Sequence, residues 1–277
     1  MSMGKHASWK RLALNATLIA VGIVTIVPFI WMALSSFKTN AEITAIIPTW
    51  WPRKFITTNY TTIQTKFDFY RFFTNSVVIA VVQTTIICYT STVCGFVLAK
   101  YHFKGRGLLF GFILATMMIP WSVTVIPSYN LMVFLGWIDS YAAIIVPGMI
   151  SGFGIFMLRQ SISSMPNEII EAARMDGASE YYLLHRIIFP LSKNSISSIA
   201  IFQFLWSWDS FLWPYLILHT KKKQLLSVGL AMFNGQYSTN YGGLFAATTV
   251  SILPVLIVYF IFQKRFIDGV AASAVKG

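Results

Sequence analysis

Residues 76–98 read SVVIAVVQTTIICYTSTVCGFVL, a stretch of 23 residues without one charged side chain. A helix of about 20 residues, rising about 1.5 Å each, crosses a hydrocarbon core of about 30 Å and satisfies its own backbone hydrogen bonds on the way. Five further runs share this character: 12–34, 108–133, 141–158, 196–218 and 244–262. The chain carries 21 Lys and Arg and 9 Asp and Glu, and of these only Asp209 falls inside any of the six runs. The runs also lack the polar face that a helix of a soluble bundle presents to water. The expectation is therefore an all-α integral membrane protein of six transmembrane helices, forming a single domain over residues 1–277.

The bulk numbers agree with that pattern. Of 277 residues, 56% are hydrophobic and 11% charged, with a mean hydropathy of +0.66. Soluble domains carry about 25% charged residues, so a water-soluble enzyme is excluded first. Lys and Arg near span ends stay on the cytoplasmic side. With the N-terminus inside, 13 of the 21 basic residues fall on the inner side; the segment 99–107 holds three, whereas 134–140 on the outer side holds none. Both termini are expected inside, and the net charge of +12 reads as a topology signal with an attraction to anionic lipid. No basic stripe interleaves with exposed aromatics, so nucleic acid is not an expected partner. Lys5, Lys10 and Arg11 before the first run resemble a signal peptide, but 23 apolar residues exceed the usual length, and the run is expected to remain as an anchor. Cys88 and Cys94, six residues apart on one helix, cannot reach each other to bridge. Six of the prolines lie in or at the ends of the runs, so kinked helices are expected, with the freed carbonyls taken by neighbours.

Catalytic and energy-converting motifs are missing from the sequence. There is no G-x-x-x-x-G-K-[ST] phosphate loop, no paired His or Cys with metal-ligand spacing, and no G-x-S-x-G nucleophile turn. No cofactor or metal is expected on this chain, and no catalysis.

The long inner segment, about 159–195, carries the most specific signal. Residues 166–190 read PNEIIEAARMDGASEYYLLHRIIFP. Pro166 suits a first helical position, and Glu168 and Glu171 lie where the helix dipole favours carboxylates. Asp176-Gly177 supplies a stop, Ser179 a new cap, and Pro190 the end of a second helix. Ala172 and Ala173 leave one side of the first helix nearly bare. Four acidic residues against two basic ones give the segment −2 on a side that is otherwise basic, which argues against lipid adhesion and for a protein partner. A solvated hairpin with ordinary surface charges is the other reading of the same residues.

Glu171-Ala172-Ala173-Arg174-Met175-Asp176-Gly177-Ala178, followed by Ile187 to Pro190, resembles the EAA loop of importer permeases of the ATP-binding cassette class. Three further stretches resemble the MalG-like sugar permeases: Ser36-Phe37-Lys38 through Pro48 and Pro52 to Asn59-Tyr60; Trp208 to Pro214; and Ile252-Leu253-Pro254 through Gln263-Lys264-Arg265-Phe266 and Gly269 to Val275-Lys276-Gly277. Ser273 stands where that family usually has Gly. The resemblance implies that Glu171, Ala172, Ala173, Asp176 and Gly177 form the element that docks on an ATPase subunit. It also implies ATP and Mg bound in two partner ATPase subunits, a second MalF-like permease chain, and an extracytoplasmic sugar-binding protein. The implied location is the plasma membrane of a prokaryote and the implied cargo di- or oligosaccharides.

On a helical wheel from Gln203, the side chains of Gln203, Trp206, Asp209, Ser210 and Trp213 fall within an arc of about 120°. Indole faces against C–H surfaces, with amide or carboxylate groups for hydroxyls, are the pairing that sugars require. Facing inward would also keep Asp209 from lipid. Gln83, with Thr84 and Thr85, and Tyr129 with Asn130 carry weaker forms of the same argument. The alternative is structural: Gln203 and Ser210 join helices while the tryptophans pack or anchor. Two other functions stay open, an importer of the same class for a non-sugar solute and an ion-coupled secondary transporter.

Overall fold

The computed structural model describes residues 3–233 and 240–274. Residues 234–239 and the tail Val275-Lys276-Gly277, part of the third stretch quoted above, lie outside the described residues. Every regular element among the described residues is helical. In chain order these are α1 (Met3–Ser35), α2 (Asn40–Ile43), α3 (Thr58–Phe67), α4 (Phe69–Lys100), α5 (Arg106–Met118), α6 (Trp121–Phe134), α7 (Ala142–Ile145), a 3-10 turn (Val146–Gly148) and α8 (Gly152–Ser163). There follow α9 (Asn167–Met175), α10 (Glu180–Tyr182), a π turn (Leu183–Ile188), α11 (Phe189–Leu191), α12 (Lys193–Trp208), α13 (Leu212–Ile217), a 3-10 turn (Lys221–Lys223), α14 (Leu226–Phe233) and α15 (Tyr241–Ala274).

Four stretches are long and apolar enough to cross a membrane: Arg11–Ser35, Phe69–Lys100, Ala142–Ser163 and Tyr241–Lys264. A fifth is reached if α5 and α6 count as one span, but they meet at 101°. The chain is thus an all-α, multi-span membrane protein. Three of the six apolar runs are broken rather than merely kinked; in 141–158 a 3-10 turn at Val146–Gly148 separates α7 from α8. In 108–133 the chain turns at Ile119-Pro120, because Pro120 has no N–H to continue the ladder and drives Ile119 into an extended conformation (φ −84°, ψ 117°). In 196–218, α12 stops at its cap Asp209 and the chain resumes only at Leu212, with Pro214 in the short helix that follows. Pro190 is the opposite correction. It does not halt the second hairpin helix, which widens into the π turn, with Phe189 N–H bonding the Leu184 carbonyl, and runs on to Leu191. The wider turn gives room where the proline ring would press on the carbonyl four residues back.

The chain divides into two compact units, Met1–Phe69 with Leu230–Leu253, and Tyr70–Gly229 with Pro254–Gly277. In the first, the stretch from Ser36 to Tyr60 is a hydrogen-bonded cap. Asn59 donates its amide to the carbonyls of Ser36 (2.8 Å) and Lys38 (2.9 Å), and the hydroxyls of Ser36 and Tyr60 meet at 2.7 Å. Lys38 is 1% exposed, donates to the Thr49 carbonyl and lies 5.7 Å from the Trp31 ring centroid. Ile63, Ala246 and Ala247 form the apolar centre of this unit, and Trp50 and Trp51 remain exposed.

In the second unit α4 and α8 lie against each other backbone to backbone. A Cβ on Gly95 would come within 2.9 Å of the Leu158 Cβ and 3.0 Å of the Arg159 nitrogen, so only Gly fits. Two apolar clusters hang on α4. One gathers Ile79, Met132, Ala143, Ile144, Ile217, Leu218 and Leu225. The other gathers Ile87, Phe96, Leu158, Ile162, Ile170, Leu183, Ile188 and Ile199, and so anchors the hairpin. Cys88 and Cys94 are both free thiols.

Candidate functional site

The hairpin begins one residue later than its sequence suggests, with Pro166 outside as the cap and Asn167 as the first helical residue. At its far end the N–H of Gly177 bonds the Arg174 carbonyl (3.0 Å) and the N–H of Ala178 bonds the Ala173 carbonyl (2.9 Å), with Gly177 at φ +80°. This is the Schellman pattern, which needs a left-handed residue and therefore favours Gly. Ser179 then caps the next helix by accepting from the Tyr182 N–H at 3.2 Å. Of the five expected docking residues, Glu171, Ala172, Asp176 and Gly177 are exposed. Ala173 is not on that face: it is half-buried and packs with Ile170 against the apolar cluster. The bare ridge runs instead over Glu171, Ala172, Met175 and Asp176, with Met175 88% exposed.

Behind this ridge a polar network ties the hairpin to the end of α4. Arg174 grips one oxygen of Glu180 with Nε (3.2 Å) and Nη2 (2.9 Å), while the Tyr101 hydroxyl donates to the other. Partial burial first, and the Glu180 carboxylate second, hold the Tyr101 phenol above its usual value. Lys100 donates to the Met165 carbonyl (2.6 Å) and the Asn167 side-chain oxygen (2.7 Å).

A cavity of about 990 Å³ opens within Tyr70–Gly229. Gln203, Trp206, Ser210, Trp213 and Gln83 all line it. Asp209 does not: it lies at the edge of the expected arc, as the exposed C-cap of α12, and is not among the lining residues. Tyr129 packs in the Ile79 cluster and Asn130 is exposed, so neither lines the wall; Thr84 is half-buried elsewhere and Thr85 bonds back to the Val81 carbonyl. Sequence reasoning missed Ser207, and also Trp121, Thr124 and Ser128, which come from α6. The i, i+3, i+7 spacing of those three on one apolar helix was the available signal.

Prolines shape this wall, and side chains repair it. Pro147 cannot bond the Ala143 carbonyl, which takes the Trp213 indole N–H instead at 3.0 Å. Pro214 likewise leaves the Ser210 carbonyl to the Ser227 hydroxyl, at 2.6 Å. Gln83 donates to the Ile144 carbonyl (2.8 Å) and accepts from the Ser207 hydroxyl, so its amide joins three parts of the wall. Kinks with their carbonyls satisfied by neighbours are what a membrane interior demands. Outside the spans, Asp139 at φ +58° braces the 134–141 turn against the 217–224 turn. It accepts from the Thr220 N–H (2.9 Å) and hydroxyl (2.7 Å), from the His219 N–H (3.0 Å) and from Lys223 (2.9 Å). The Thr220 bonds first, against partial burial and with help from Lys223 and His219, hold its carboxyl far below the usual range. Among the described residues no three His, Cys, Asp or Glu side chains come together as metal ligands.

Comparison with known proteins places this architecture. Residues 91–271 match the family model described as binding-protein-dependent transport system inner membrane component. The chain is 34% identical over 273 residues to an arabinooligosaccharides transport system permease protein, AraQ, of Bacillus subtilis (strain 168), covering 96% of each. It is 30% identical over 274 residues to a diacetylchitobiose uptake system permease protein, NgcG, of Streptomyces coelicolor, covering 95% of this chain and 88% of that one. In three dimensions it resembles a chain of a bacterial ABC transporter involved in the import of the acidic polysaccharide alginate. The TM-score is 0.81 at 22% identity, over 96% of this chain and 99% of the other, a likeness of fold. A family model spanning well over half the chain, with a relative 34% identical over 96% of it, makes this chain a transport permease belonging to the family of binding-protein-dependent transport system inner membrane components.

Proposed function

We propose that this chain is one permease half of an ATP-driven importer of di- or oligosaccharides in a prokaryotic plasma membrane. The observation that carries the cargo is the cavity wall, where the indoles of Trp121 and Trp206 share one surface with the amide of Gln203 and the hydroxyls of Ser128 and Ser210. Flat apolar faces for C–H surfaces beside neutral donors and acceptors for hydroxyls suit a glycan better than an amino acid or a metal ion. The relatives named for arabino-oligosaccharide and diacetylchitobiose uptake support the same class.

In this reading the chain crosses the membrane six times with both termini in the cytoplasm. The fifth crossing is α12 continued through the break into α13. The partners are a second, MalF-like permease, an extracytoplasmic sugar-binding protein and two ATPase subunits, which hold the ATP and Mg. The exposed ridge of Glu171, Ala172, Met175 and Asp176, ending at Gly177, docks on one ATPase. Ala173 acts from behind, by packing the ridge onto the core. Nucleotide-driven motion then passes through Arg174, Glu180 and Tyr101 to α4, and along α4 to Gln83 in the cavity wall. No bond chemistry occurs in this chain; the ATPases bias an inward-facing against an outward-facing state.

The test is uptake in cells carrying the whole transporter. Unlabelled di- and trisaccharides should compete with the labelled cargo and amino acids should not, and the permease should co-purify with an ATPase subunit. Solute accumulation by the chain alone in vesicles, driven by an ion gradient, would overturn the proposal in favour of a secondary transporter.

A further inference from the structure

The sixteen residues lining the cavity are Ile, Leu, Met, Pro, Gly, Trp, Gln, Ser and Thr, without one ionisable group. Fifteen of the sixteen fall within the apolar runs, which hold a single charged residue, and that residue, Asp209, is not among the lining ones. The polar groups that remain fall into two sets. Gln83, Ser207 and Thr124 are engaged within the protein, Thr124 by donating to the Trp121 carbonyl at 2.9 Å. Gln203, Ser128 and the Ser210 hydroxyl have no protein partner among the described residues, and they line the same space. Trp121 and Trp206 are 51% and 54% exposed overall and both line this space; the Trp206 ring also packs against Phe202 (6.1 Å between centroids) and edge-on against Phe153 (5.6 Å).

Such a wall discriminates by charge as well as by shape. A sugar hydroxyl entering it exchanges water for a neutral amide or hydroxyl and loses little. A carboxylate or sulfonate pressed against it gives up hydration and finds no cation on this wall, and an ammonium finds no anion, which is unfavourable to the extent that water is displaced. Fold does not decide this: a chain of the same fold belongs to an importer of an acidic polysaccharide.

We infer that the cavity between α4, α6 and α12 is a charge filter that admits uncharged glycan segments and rejects uronate, sulfonated and amino sugars. Trp121 and Trp206 are its stacking platforms, and Gln203, Ser128 and Ser210 read the hydroxyls. This rests on the sugar-importer reading above and narrows it to the neutral members of that class.

The experiment uses the complete transporter in lipid nanodiscs, without binding protein, and follows tryptophan fluorescence. The probes are a panel of neutral trisaccharides (arabinotriose, maltotriose, chitotriose) and the trimers of galacturonate and mannuronate. At least one neutral trimer should quench, with the uronates needing at least ~10-fold higher concentration, and Trp206→Phe should remove most of the response. Gln203→Lys should narrow the neutral-to-uronate ratio at least ~10-fold; if that variant fails to assemble, Ser128→Arg places the cation from α6 instead. Uronate binding within ~3-fold of the best neutral trimer in the unaltered protein overturns the filter while leaving the sugar importer standing. Quenching by no member of the panel overturns both.

Discussion

The hairpin and the cavity wall are both places where a helix stops, and they stop by different means. At Gly177 the stop is local: two backbone hydrogen bonds reach back three and five residues, and a left-handed glycine makes them possible. At Ala143 and Ile144 the stop is held from a distance, by Trp213 seventy residues along the chain and by Gln83 sixty-one residues before. Local stops depend on which backbone conformations one residue can adopt. Distant stops depend on several helices being packed already, so their loss is felt as stability before it is felt as shape. That division suits the two roles proposed: the hairpin must present one fixed surface to a partner, whereas the wall must hold bent helices around a space.

The comparison can be broken most severely at Gly177. Gly177→Val forces a β-branched residue into φ > 0, at a cost of about 1–3 kcal/mol concentrated in one turn. Uptake should fall more than ~10-fold while the amount of protein in the membrane stays near normal. Gly177→Asn, which tolerates the left-handed conformation, should keep most of the transport. Equal losses for Val and Asn would mean that the turn does not act through its backbone. Gln83→Leu should be next: it removes the donor to the Ile144 carbonyl and leaves the Ser207 hydroxyl without its acceptor, at about 1–3 kcal/mol for each group left unmade. The expected readout is a lowered thermal midpoint of the purified protein, with Ser207→Ala added to Gln83→Leu costing less than it does alone. Strict additivity of the two would show that they do not act as one link.

Asp139→Asn should have the smallest effect and the most diagnostic pH dependence. The folded carboxyl titrates well below its unfolded value of about 3.9, so its stabilising contribution is complete above that value and is lost as the pH falls below it. The difference in thermal midpoint between Asp139→Asn and the unaltered chain should be flat from pH 5 to pH 8 and should shrink below about pH 4. A difference that changes between pH 6 and pH 8 would assign the brace to another group.

Much of this was legible in the residues because its causes are short-range. Apolar length predicts helices at 76–98 and 244–262, and they are there within α4 and α15. The Asp176-Gly177 stop and the Ser179 cap follow from what one residue does to its own backbone, and both occur. The wheel for 196–218 cannot set which of its polar residues reach a cavity, because that depends on the helices packed beside it, and whether Pro214 ends a helix or kinks it depends on what can take up the carbonyl it frees. Here Ser227 takes it. The half-burial of Ala173 was not legible for a related reason: small residues are equally at home on a docking face and in a tight contact, and only the packing partner decides.

By itself, then, the sequence determined that the chain is helical and lipid-embedded, and where its hairpin turns, since burial of apolar length and the φ preference of single residues operate without reference to distant parts. The tertiary structure alone decided which polar side chains face the cavity and which are engaged in repairing bent helices. That assignment depends on which unsatisfied carbonyl happens to lie within hydrogen-bond reach, and reach across sixty residues of sequence exists only once the helices have packed.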